Sequence, residues 1–90
     1  MADRHEIMQI KMDISIKQCT LQKTEKNMED ADEKLYDVVK EMMDPENEMM
    51  PHLEKRKGFL EKRIKTLEKR ARELEKEITL LQEKISVNVW

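Results

Sequence analysis

Three side chains of this sequence could act as nucleophile or acid–base group near neutral pH: Cys19, His5 and His52. Such chemistry needs a partner within hydrogen-bond reach, usually a base beside the nucleophile. These residues stand 14 and 33 positions apart, with no acid–base motif around any of them. A closed zinc site takes four ligands, and one cysteine with two histidines at unrelated positions cannot supply them. With Gly58 as the only glycine, a glycine-rich phosphate loop is excluded. The 20 carboxylates alternate with 18 basic residues in a solvated pattern, without the burial that tunes an acid–base pair. The expectation is a non-catalytic chain with no catalytic residue, no cofactor and no metal. Cys19 reads as a small apolar filler whose one liability is an intermolecular disulfide on oxidation.

Polyanion binding is the next chemistry to weigh. Lys55, Lys62, Lys69 and Lys76 recur every seven residues and could line a phosphate-binding strip, with Arg56, Arg63, Arg70 and Arg72 nearby. Glutamates interleave them, stacking aromatics are missing, and the net charge is -2. A solvated helix face is the simpler reading, and nucleic-acid binding ranks third among the functions considered. No run of about 18 apolar residues exists, so no membrane span is expected. The polar N-terminus lacks a secretory h-region and a lone cysteine suits a reducing compartment, so cytoplasmic residence is the default.

What could position any of these groups is a pair of heptad seams. Leu53, Leu60, Leu67, Leu74 and Leu81 recur every seven residues, and Ile64, Ala71, Ile78 and Ile85 follow successive leucines by four. Lys57 holds the first slot of that second series. A 3-4 apolar spacing keeps one stripe of a helix against a partner helix. The first half repeats the pattern with Ile7, Ile14, Leu21, Met28, Leu35 and Met42 in one slot and Ile10, Lys17, Thr24, Ala31 and Val38 in the other. Both apolar runs span 36 residues, each about 54 Å as a helix. Between them, Pro45 stops the first helix and Pro51 fits the first turn of the second.

The fold expected is therefore all-α: one domain over residues 1–90, an antiparallel two-helix coiled-coil hairpin. Helix 1 is placed at about 7–43, the turn at 44–50, helix 2 at about 51–85 and a short tail at 86–90. Facing residue numbers should sum to about 95, which sets Leu35 against Leu60, Met28 against Leu67 and Leu21 against Leu74. Lys17 and Lys57 interrupt the layers and can snorkel. Residues 25–50 carry ten acids and three bases, and 53–72 carry nine bases and three acids, so the fold-back is electrostatically favoured. One edge dissents, because Asp32 and Glu25 meet Glu61 and Glu68. A parallel dimer of the second arm, pairing Arg56, Arg63 and Arg70 with Glu61, Glu68 and Glu75 of another chain, is the competing arrangement.

At the ends a second signal appears. Residues 8–17 alternate strictly between apolar and polar, and Ile85-Ser-Val-Asn-Val-Trp90 repeats the alternation in miniature. Short strands at 8–17 and 85–90 compete there with continuous helix. Either way, Met8, Met12, Ile16, Cys19 and Trp90 leave more apolar surface than one partner arm covers, which makes them the candidate interface. A thin two-helix core also favours association into a dimer or tetramer. The function these features point to is a protein–protein assembly module. The alternative is a small chaperone or adaptor that shields an apolar helix of a partner, with Lys17 and Thr24 as layers that a client would complete. Helical-hairpin chaperones of secretion systems have this general shape, but no motif here carries a family resemblance. Met42, Met43, Met49 and Met50 at the turn read either as a cap on the seam or as an adaptable docking surface.

Overall fold

A computed structural model of the chain describes residues 3–89, with side chains described through residue 86. Two helices, α1 (Arg4–Met42) and α2 (Met50–Val89), fold back on each other into a rod of 68 × 14 × 14 Å. The antiparallel hairpin is thus the observed arrangement.

α1 begins three residues earlier than the apolar seam because Asp3 caps it. The Asp3 carboxylate accepts a hydrogen bond of 2.9 Å from the Glu6 amide, and Glu6 adds negative charge to the first turn. His5 accordingly sits in an ordered first turn, exposed. The strand alternative is corrected: residues 8–17 and 85–89 are α-helical, and no strand occurs among the described residues. The helix prevails because Ile7, Ile10 and Ile14 extend the seam and find the end of α2 beside them. It also satisfies its own backbone amides, whereas a strand needs a ladder partner. Trp90 lies outside the described residues.

At the turn, helix α1 ends at Met42, and Asp44 and Asn47 then knit the connection. Asp44 Oδ1 accepts from the Glu46 amide at 3.1 Å, and Asn47 Oδ1 accepts from the Met49 amide at 2.8 Å. Asn47 Nδ2 also donates to the Glu41 carbonyl at 3.4 Å, tying the end of α1 to the start of α2. These Asx-type bonds are what short polar side chains contribute at turns. Pro51 occupies the first turn of α2, where a missing amide hydrogen is tolerated.

The seam is buried over the turn-side two thirds of the rod and half-buried toward the open end, at Ile7, Ile10, Ile14 and Ile85. Ala31, Val38, Leu53, Leu60, Ala71, Leu74 and Ile78 form the core together with Thr24. Met28, Leu21, Leu35, Leu67 and Leu81 are half-buried in the same stripe. Near the turn, Val38, Leu53 and Leu60 cluster with Leu35 and Met42 packed against them. Each buried leucine contributes about 1.5–3 kcal/mol, whereas exposed ion pairs contribute under about 1 kcal/mol. The apolar seam therefore decides stability, and the charges tune it.

Gly58 is the one residue that works against α2. Glycine inside a helix costs about 1 kcal/mol relative to alanine. Its φ is not positive, and an added Cβ would meet nothing within 4 Å. Gly58→Ala should therefore raise the unfolding free energy by about 1 kcal/mol in urea melts followed by helix circular dichroism. A loss of stability would mean that the backbone there needs glycine after all.

Candidate functional site

The side chains that sequence reasoning singled out separate into an inner set and an outer set. The seam residues Leu53, Leu60 and Leu74 are buried, and Leu21, Met28, Leu35, Leu67 and Leu81 flank them half-exposed. On the outside of α1, Met8, Met12 and Ile16 are 63%, 57% and 62% exposed. With Lys11 and Ser15 they line one shallow, open apolar depression. Cys19 is free and exposed, one turn beyond Ile16. Four of the candidate interface residues thus share the outward side of α1 in its first half. Contiguous exposed apolar side chains of this kind make this side of α1 a candidate interaction surface.

Lys17 and Thr24, the polar side chains in the α1 seam, both find partners. Lys17 Nζ donates to Glu77 Oε2 at 2.8 Å across the hairpin, with both side chains only partly exposed. This hydrogen bond, reinforced by the charge of Lys17 and more weakly by Arg70, holds the Glu77 carboxyl below its ordinary value of 4.5 against a small opposing effect of burial. Thr24, 7% exposed, donates its hydroxyl to the Thr20 carbonyl at 2.8 Å. The polar groups of both layers thus find hydrogen-bond partners within the chain. Glu77 is the partner of Lys17 that the seam pattern alone did not identify. Its signal was the pairing rule itself, since position 17 lies level with 77 or 78.

A pH effect follows from that bridge. A carboxylate whose folded pKa is depressed adds stability above its unfolded value, and that stability is lost as pH falls below it. The Lys17–Glu77 contribution should therefore be present at neutral pH and be lost progressively as pH falls from about 4.5 through the lower folded value. Lys17→Met should flatten that part of the acid limb in urea melts run from pH 7 to 3. An unchanged acid limb would show that the bridge contributes nothing to folding.

The remaining candidates stay apart. His5 and Cys19 are separated by 14 residues of one helix, about 21 Å, and His52 lies at the turn end of the rod. No group of three or more potential metal ligands converges among the described residues. Lys55, Lys62, Lys69 and Lys76 are exposed on the outer side of α2, with glutamates interleaved. On the dissenting acidic edge, Lys57 Nζ lies 3.8 Å from Glu61 Oε1 and offsets one of the like charges. Met42 and Met50 are half-buried in the seam, whereas Met43 and Met49 are 78% and 57% exposed. No helix among the described residues is long and apolar enough to cross a membrane.

Comparison with known protein families, curated proteins and solved structures gives no match.

Proposed function

We propose that this chain is a non-catalytic assembly module: a self-contained helical hairpin that associates with other protein surfaces, its own copies first, through apolar residues on the outside of α1. The observation that carries this is the contiguous exposure of Met8, Met12 and Ile16 on a helix whose seam is already complete. Because Lys17 and Thr24 are satisfied internally, the surplus apolar surface points outward and does not lie in an unfilled layer. This favours docking onto a finished rod over insertion of a client helix. The chaperone or adaptor reading draws on exposed Met43 and Met49 at the turn and ranks second.

Light scattering behind size exclusion, at two concentrations, tests the proposal. The chain should run as a multiple of its 10.9 kDa mass. A Met12→Glu/Ile16→Glu variant should drop in oligomer order while keeping its helicity. A wild-type monomer would remove self-association and leave a heterologous partner as the occupant. Loss of helicity together with assembly would place these side chains in the core.

A further inference from the structure

The two long sides of the hairpin are not equivalent, and one of them is matched to itself. On that side a groove is lined by Asn27, Asp30 and Lys34 of α1 and by Phe59 and Arg63 of α2, with Ala31 and Leu60 at its floor. Steps of seven residues from Asp30 run along α1 to Ile16 in one direction and Asp37 in the other. The same steps from Phe59 run along α2 to Leu80. Because the seam keeps its heptad register throughout, each stripe stays on one side of its helix. The Lys17–Glu77 bridge ties Ile16 to the level of Leu80, which lies one turn beyond Glu77. Ile16, Phe59 and Leu80 are 62%, 65% and 52% exposed, so this side carries three large apolar side chains without a cover.

We propose that a second copy of the chain covers this side, related by a two-fold axis parallel to the rod, to give an antiparallel four-helix bundle. This rests on the self-association part of the assembly-module reading and names its first partner, but places the contact on the side of Ile16, Phe59 and Leu80, with Met8 and Met12 outside it. Charge complementarity favours the arrangement at two levels against one like-charge level, where Lys23 faces Arg70 of the second copy. Such an axis lays α1 of one copy along α2 of the other at equal height. Facing numbers sum to about 94, as for Lys17 and Glu77. Asp30 then comes level with Arg63 of the second copy, and Asp37 with Arg56. Lys34 comes level with Phe59, where a cation can lie over the ring. Ile16 comes within one turn of the level of Leu80, near enough for the two long side chains to touch, and by symmetry every contact occurs twice. End-for-end stacking is the other two-fold choice. Aligned to bring Phe59 onto Leu80 of the second copy, it sets Arg70 beside its own copy and Asp13 opposite Asp37. Like charges at both places disfavour it.

Two measurements on the full chain test this. Asp30→Lys/Asp37→Lys and Arg56→Glu/Arg63→Glu should each run as the 10.9 kDa monomer, and their equimolar mixture should restore a 1:1 species of twice that mass. Helicity of each variant, followed by circular dichroism, separates lost association from lost folding. If a variant unfolds, the second measurement decides alone. In a Cys19→Ser background, mixed Ile16→Cys and Leu80→Cys chains should form the heterodisulfide on mild oxidation, while each alone forms little homodisulfide. Homodisulfides in place of the heterodisulfide, or no crosslink, would overturn the arrangement. A dimer broken by Met12→Glu yet crosslink-negative here would refute this face and leave the assembly module standing. A wild-type monomer would refute the second copy as occupant and, with it, self-association.

Discussion

Leu74→Ala is expected to lower the unfolding free energy by about 2–5 kcal/mol, the range for truncating a fully buried leucine. Leu74 is 1% exposed and is the largest side chain in the hairpin buried to that degree. Alanine is at least as good a helix former as leucine, so local propensity cannot account for a loss. The loss must come from removed apolar contact and from the cavity left between two helices. A two-helix rod has few ways to close that cavity, because each layer rests on only one other arm. Leu81, half-buried seven residues on, should cost less when truncated in the same way. Urea melts followed by circular dichroism, at fixed chain concentration so that association does not shift the midpoint, give both numbers. For a scaffold this small, a loss of several kcal/mol should leave much of the variant unfolded near body temperature. Equal losses at Leu74 and Leu81, or a loss below about 1 kcal/mol at Leu74, would contradict the burial gradient along α2.

The hairpin was legible because its information is periodic. Leucines at 53, 60, 67, 74 and 81 state a seam, and a second seam of equal length beyond Pro45 and before Pro51 states that it folds back. The antiparallel register was legible too: Leu35 and Met42 do pack into the cluster that holds Leu53 and Leu60. What was less legible lies off the seam or at its ends. Asp3 with Glu6 is a helix-start signature that the seam, beginning at Ile7, overshadowed. Asp44 and Asn47 act through side-chain bonds to nearby amides, which periodicity does not encode. Lys17 looked like an interrupted layer because a one-dimensional pattern records the lysine and not the acceptor. Glu77 lies beside the seam on one particular side of it, and that side is defined only once two helices are set at a given rotation. The same rotation separates Met8 and Met12 on the back of α1 from the stripe that Ile16 shares with Asp30. A list of exposed apolar residues did not distinguish those directions.

Residues 8–17 give the sharpest contrast between pattern and structure, and Ser15→Pro turns it into a measurement. Ser15 is exposed and lies in the interior of α1. Proline there removes an amide that donates four residues back, and its ring clashes with the preceding turn, at a cost of about 3 kcal/mol or more. Ser15→Ala, which keeps the amide and improves propensity, should be neutral or slightly stabilising. The difference between the two variants isolates the backbone, since neither removes a buried side chain. If the first turns of α1 are coupled to the rest of the rod through Ile10, Ile14 and the Lys17–Glu77 bridge, the proline should lower the whole cooperative transition. If those turns open independently, the effect should be capped by the free energy of that local opening, with mean helicity reduced and the midpoint little changed. The coupled outcome is expected, because Lys17 Nζ reaches Glu77 Oε2 at 2.8 Å and so ties the start of α1 to α2. A proline variant with both helicity and midpoint intact would mean that residues 8–17 do not need helical amides, and the strand alternative would have to be reopened.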